Sequence, residues 1–357
     1  MKKLVTLILV LSMFSAFSQD EQSLKEQVNQ LKEDNINLNH RLDEVQKLVD
    51  DVVWFNRVGD VAFIDKVYIY GPPPANVKNS TAMGANNPVK FWSYVFIPKN
   101  IDPNKKYPLL VFPHGGVHAD FTTYYTHIIR EMIAQGYVVV AAEYRGSTGY
   151  GRGFWEKIDY GGLEYEDVYA SRNYVLDNYD FVDSKRVGII GWSHGGMIAL
   201  HNIFEHPDDY ACAFAGVPVS DLILRYGYSD DEYRELYTAP YHIGKSPRED
   251  IAEYKRRSPV WQADKLKTPL LIHTNTCDDD VYEIEVEHLI QALKADGKKF
   301  EYEIFQDMPG GHSFDRIDTK AARKIRVKIY KFLAQYLNPP KPIKSVGDIN
   351  RAAYLPF

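Results

Sequence analysis

Three separated stretches carry residues able to act together on an acyl group. Gly191-Trp192-Ser193-His194-Gly195 sets a serine between glycines, the G-x-S-x-G pattern of a nucleophile on a sharp turn. "NTCDDDV" (275–281) supplies a run of carboxylates, and "QDMPGGHSF" (306–314) supplies His312 in a glycine-containing loop. A serine hydroxyl is a weak nucleophile until an imidazole takes its proton, and that imidazole must itself be oriented by an acid. Serine, carboxylate and histidine in this chain order form a recognised set. The chemistry in view is acyl transfer to water through an ester on Ser193. The oxyanion formed on the way needs N–H donors. The amide of His194 is one, at a helix start whose dipole favours negative charge. Gly115 and Gly116 of "HGG" (114–116) are candidates for the second. The side chain of His194 is expected to be structural.

These residues need a scaffold that brings them to one edge. "RVGIIG" (186–191) reads as a buried strand and "MIALHNIF" (197–204) as a helix, so Ser193 falls in a strand-to-helix turn. From residue 108 onward the pattern alternates. "PLLVFP", "YVVVAAEY", "RVGIIG", "ACAFAGVPV", "PLLIHT" and "FEYEIF" read as strands, with helical patterns between them and a last helix over 319–337. Near-continuous apolar strands separated by helices predict a mostly parallel, doubly wound α/β sheet covered on both faces. The HGG stretch, the aspartates and His312 each follow one of those strands. Residues 57–107 read as a β lead-in with strands "DKVYIYG" and "VKFWSYVFIP" around a Pro/Gly/Asn-rich loop. A Tyr-rich insertion covers 221–262, and the tail 339–357 reads as loop.

The first residues read as an export segment. Lys2 and Lys3 precede an apolar run from Leu4 to Phe14, and Ala16 and Ser18 suit a cleavage site before Gln19. The expectation is a signal peptide at 1–18 and a periplasmic or secreted mature chain, with no membrane span left after cleavage. Within a helix expected over 19–56, residues 22–56 carry a heptad: Leu24, Leu31, Leu38, Val45 and Val52 recur every seven, with Val28, Asn35, Leu42, Val49 and Asn56 four places after each. That seam predicts a coiled coil and a homo-oligomer through residues 22–56; a helix packed on its own domain is the alternative. The net charge of −6 over 357 residues argues against a nucleic-acid partner. The two cysteines, Cys212 and Cys277, form no disulfide framework and are expected to be free. No metal-ligand cluster or phosphate-cradling loop is present, so no cofactor and no metal are expected.

The same motifs resemble the catalytic domain of the prolyl oligopeptidase family of serine peptidases. "GWSHGG" is similar to that family's G-W-S-x-G-G, "YRGSTGYGRGFW" (144–155) to its R-G-S-x-G-Y-G segment, and "GGHSF" to its histidine loop. The likeness runs from about Tyr107 to Asn338 and implies an α/β-hydrolase fold over 57–338. It implies Ser193 as nucleophile, His312 as base and Asp278 as acid, with Asp280 the second choice. Where some family members carry an oxyanion-binding tyrosine this chain has His114, so the resemblance implies a hole built on Gly115 and Gly116. It also implies that Trp192, Tyr226, Tyr228 and Tyr233 lie at the substrate pocket. The family's N-terminal β-propeller has no counterpart in this sequence, so strict dipeptidyl cleavage does not follow.

The expected activity is therefore hydrolysis of peptides by a serine peptidase. The same machinery would serve a carboxylesterase acting on acylated small molecules or carbohydrates, because amides and esters share the oxyanion intermediate. An idle scaffold with the coiled coil as its purpose is a third reading, against which a complete triad counts.

Overall fold

The computed structural model describes residues 2–77 and 79–354, with side chains from Gln22 onward. The export segment expected at 1–18 lies outside the residues whose side chains are described. Among the described residues no helix is long and apolar enough to cross a membrane.

Eight strands form one sheet: β1 (Ala62–Tyr70), β2 (Lys90–Pro98), β3 (Tyr107–Val111), β4 (Val138–Ala142), β5 (Val182–Trp192), β6 (Cys212–Gly216), β7 (Leu270–Asn275) and β8 (Glu301–Phe305), in the order β1-β2-β4-β3-β5-β6-β7-β8. The lead-in pair β1 and β2 is antiparallel to each other and β2 is antiparallel to β4, while β3 through β8 run parallel. Parallel strands need crossovers, and helices supply them on both faces. Alternation along β3 shows the two sides: Leu109 and Val111 belong to one buried cluster, and Leu110 to the other. Because β3, β5, β7 and β8 point the same way, the loops after them open at one edge, where ligands bind in open α/β sheets. Cys212 starts β6 and Cys277 follows β7; both are free thiols, as expected.

The N-terminal helix α1 (Lys2–Val58) has two functional faces in its described part. Trp54 and Val58 are fully buried in the core, Trp54 against Phe96 and stacked on Phe121. His40, Glu44, Lys47 and Asp51 fall on that same side at three- and four-residue spacing. The heptad residues Leu24, Leu31, Leu38, Leu42, Val45, Val49 and Val52 lie on the opposite side, each more than half exposed. The expected division at 56/57 therefore falls inside a helix whose last turns belong to the hydrophobic core of the sheet domain.

The structure defines the insertion and corrects the tail, which was expected to be loop. The insertion at 221–262 is mainly helical, with helices Leu222–Tyr228, Asp231–Thr238 and Ile251–Arg257 capped by Asp221, Asp230 and Asp250. The tail holds the helix Val346–Ala352, started by a capping box between Ser345 and Asp348 and anchored by buried Ile349. That S-x-x-D spacing was the available sequence signal.

Candidate active site

Ser193 follows β5 as the turn residue that caps the helix His194–Glu205, with φ 60° and ψ −124°, a backbone state rare for a residue with a side chain. Its amide donates to the Gly216 carbonyl at 2.9 Å, and its carbonyl accepts from Met197 at 3.0 Å. The flanking glycines follow from close approach. A Cβ on Gly191 would lie 2.1 Å from the Gly195 carbonyl oxygen, and one on Gly195 would lie 2.4 Å from that of Pro113. The turn thus exists only because those positions have no side chain.

Asp278, in the loop after β7, presents a fully buried carboxylate to His312, in the loop after β8. His312 Nδ1 lies 2.9 Å from Oδ1 and 2.8 Å from Oδ2. The amides of Asp280 and Val281 donate to the same Oδ1 at 2.9 and 3.0 Å. Asp280 takes a different position: its carboxylate is half exposed, 3.7 Å from His312 Nε2, and ion-paired to Arg225 at 2.5 Å. An acid that orients the base binds the nitrogen remote from the nucleophile, so Asp278 fits that role and Asp280 does not.

The oxyanion candidates lie on two segments. The His194 amide opens its helix, where backbone N–H groups have no intrahelical acceptor. The His194 side chain is buried, with Nε2 3.3 Å from Glu164. Gly115 backs onto the nucleophile turn, since a Cβ built there would sit 3.4 Å from Ser193 Cβ. The Tyr125 hydroxyl faces the Gly115 amide and the Arg316 guanidinium. Gly116, one residue on, adopts φ 77°. His114 is fully buried and held neutral, its pKa pushed down to about 3 chiefly by burial.

The pocket residues divide. Trp192, expected to line the pocket, is buried in the core instead, against Phe112 and Phe214, with Nε1 donating to Asp315 at 2.8 Å. Preceding Ser193 at the strand end, it points into the helix layer rather than the cleft. Tyr228 and Tyr233 converge on Arg225, which donates to their hydroxyls at 3.0 and 3.1 Å. Tyr226, on the far side of that short helix, packs against Tyr237 and Tyr254 and does not join them. Arg225 was missed by the sequence reading; an arginine among tyrosines carries no motif, and only the fold carries it to Asp280. Arg316 was missed too: it donates to the His312 carbonyl, and its own carbonyl bonds His127 at 2.7 Å. Among the described residues no cluster of histidine, cysteine or carboxylates could hold a metal ion.

The R-G-S stretch has a structural explanation. Arg145 is fully buried and grips Asp167 through Nε at 2.7 Å and Nη2 at 2.8 Å, while Nη2 also donates to the Pro72 carbonyl at 2.8 Å. It ties the strand-following loop to a helix and to the lead-in.

Comparison with known proteins agrees with this geometry. The chain is 26% identical over 293 residues to the acylamino-acid-releasing enzyme of Arabidopsis thaliana, covering 78% of this chain and 38% of that one. It is 30% identical over 225 residues to human dipeptidyl peptidase 8, covering 60% and 24%. Among solved structures it superposes on the Pyrococcus horikoshii acylaminoacyl peptidase with a TM-score of 0.64 at 20% identity, covering 81% of this chain and 44% of that one. A Mycobacterium tuberculosis puromycin-hydrolyzing peptidase gives 0.64 at 24% identity, covering 79% and 41%. The chain spans less than half the length of these relatives, and among the described residues a single sheet is present with no propeller. With the profile of the prolyl oligopeptidase family matching residues 123–340, across the nucleophile turn, the aspartate loop and the histidine loop, the chain belongs to that family.

Proposed function

We propose that the protein is a serine peptidase that hydrolyses peptide bonds through an acyl-enzyme on Ser193. The observation that carries this reading is the 2.8 Å contact between His312 and the buried Asp278, delivered by two loops at the edge where Ser193 projects. Ser193 Oγ attacks the substrate carbonyl carbon while His312 Nε2 takes its proton. Asp278 holds the Nδ1–H and balances the imidazolium. The amide of His194 and one from the Gly115-Gly116 pair are assigned to the developing oxyanion. Collapse expels the amine, which takes the proton from Nε2, and water then repeats the sequence to release the acid and regenerate Ser193. The similarity to an acylamino-acid-releasing enzyme and to a dipeptidyl peptidase supports a peptide substrate. A fluorophosphonate probe tests the reading: labelling lost in Ser193→Ala supports it, and absence of labelling in the wild-type protein refutes it. Turnover of peptide anilides above nitrophenyl acetate assigns peptide over ester; the reverse order assigns an esterase.

The mature chain is proposed to be exported, on the strength of the residues 1–18 pattern, and to form a parallel dimer through α1. Two features support the dimer: the apolar seam faces away from the catalytic core, and Val28 and Asn35 alternate with Leu24, Leu31 and Leu38 in the arrangement that favours two parallel strands. Sedimentation should show a dimer that Leu31→Glu/Leu38→Glu converts to monomer with its catalytic domain intact; a monomeric wild type overturns this.

A further inference from the structure

Lysine is almost never fully buried without a reason, yet Lys47 of α1 is 3% exposed. Its Nζ donates to the Phe121 carbonyl at 2.8 Å, pairs with Asp120 at 2.9 Å and pairs with Glu143. Glu143 lies at the end of β4 with no exposed surface. It also accepts the Phe121 amide at 3.2 Å and lies 3.7 Å from His114 Nε2. One turn further along α1, Asp50 accepts the Thr123 amide at 3.1 Å and its hydroxyl at 2.5 Å.

All of these partners belong to, or back onto, one segment: residues 114–123, which leaves β3, passes Gly115 and Gly116, and ends against α1. Its near end lies beside Ser193. There the His114 ring is 2.9 Å from the Gly115 carbonyl, and the Tyr144 hydroxyl is 3.0 Å from the carbonyls of both His114 and Gly116. The Gly115 carbonyl shares its peptide plane with the Gly116 amide, and the His114 carbonyl shares its plane with the Gly115 amide, so these contacts fix the planes that carry the candidate oxyanion donors, because N–H and C=O point in opposite directions across a trans peptide. Glu143 and His114 link the two ends through buried contacts, where a charge without its partner is costly.

We propose that Lys47 is a positioning residue for the oxyanion-binding loop, tying residues 114–123 to the N-terminal helix and making that helix part of the catalytic apparatus. Lys47 occupies the face of α1 opposite the heptad seam, so the tie needs no second copy of the chain. It rests on the peptidase reading only for its kinetic consequence; the conformational consequence stands without it.

Three proteins decide the matter: wild type, Lys47→Met, and Lys47→Met/Glu143→Gln. The single variant leaves Glu143 buried without its cation and melts lower. The double variant removes both charges at similar volume and regains the melting temperature. If Lys47 positions the loop, the double variant still lacks the bond to the Phe121 carbonyl. Its kcat then stays about 10- to 100-fold below wild type with KM unchanged, and the amides of residues 115–121 exchange hydrogen at least ten times faster. Recovery of kcat together with melting temperature, or unchanged exchange at those amides, overturns the proposal and leaves Lys47 as a neutralising charge only. If wild type shows no turnover, the peptidase reading fails while the exchange comparison still decides the role of Lys47. If the double variant does not fold, Asp120→Asn loosens the same tie and must give faster exchange in the same segment; unchanged exchange there counts equally against it.

Discussion

Replacing Asp278 by asparagine probes the catalytic arrangement most directly, because the structure dictates how the new side chain must sit. Oδ1 accepts two backbone amides, from Asp280 at 2.9 Å and Val281 at 3.0 Å. An amide nitrogen there would place donor against donor twice, so the asparagine oxygen must take the Oδ1 position. Its NH2 group then occupies the Oδ2 position, 2.8 Å from His312 Nδ1. Nδ1 then meets that NH2 at 2.8 Å, while the oxygen 2.9 Å away already accepts two backbone amides, so the tautomer in which Nδ1 accepts and the ring proton sits on Nε2 is favoured. In that tautomer Nε2 cannot accept the proton of Ser193. Loss of the correct tautomer costs about 10³- to 10⁴-fold in kcat, equivalent to about 4–5.5 kcal/mol of transition-state stabilisation. Folding should be nearly untouched, since both backbone amides keep an acceptor; Asp278→Ala, which strands them, should also cost about 1–3 kcal/mol of stability. Asp280→Asn is the control, and its effect should stay below about tenfold, because it acts only by a longer-range charge interaction. The assay is steady-state turnover of a peptide anilide, with fluorophosphonate labelling rates as a check independent of the leaving group. Asp278→Asn retaining more than a tenth of wild-type kcat, or Asp280→Asn losing more than Asp278→Asn, would refute the assignment.

Three further outcomes are expected. Trp54→Ala should destabilise the protein by about 3–5 kcal/mol in denaturant unfolding, because it empties a fully buried site between Phe96 and Phe121. Gly195→Ala should cost about 3 kcal/mol or more, read as lost soluble yield and melting temperature, since the new methyl meets backbone oxygens of Pro113 and His114 that cannot retreat. Burial holds the pKa of His201 down to about 4 and that of His273 down to about 3. The unfolded chain titrates near 6.5, so below that pH it binds protons the folded chain refuses, and stability falls as pH drops from about 6.5 toward those values. His273 packs edge-on to Phe214 and Phe305 with Nδ1 unpartnered. His273→Phe should therefore remove about 2 kcal/mol of the stability lost between pH 6.5 and pH 5, measured by denaturant titration at the two pH values; an unchanged difference contradicts it.

Much of the site was legible because its chemistry is local to short strings. G-x-S-x-G works only in a strand-to-helix turn, and the apolar run before Ser193 together with the helical spacing after it declares that context without any coordinates. The alternation of apolar strands and helices likewise determines a parallel sheet, and a parallel sheet delivers the loops after β3, β5, β7 and β8 to one edge. The heptad determines a narrow apolar stripe along α1. What the sequence could not decide is which way side chains turn once the elements pack. Asp278 and Asp280 are two residues apart in one acidic run; only the loop geometry sends one to Nδ1 and the other toward Nε2 and Arg225. Trp192 adjoins the nucleophile in sequence yet faces the core. Lys47 reads as a polar residue on a coiled coil, and its burial against Glu143 depends on elements about 75 and 95 residues further along the chain. Local pattern specifies each element and its exposed or buried stripe, whereas long-range partners arise from the packing of distant segments, which no window of adjacent residues contains.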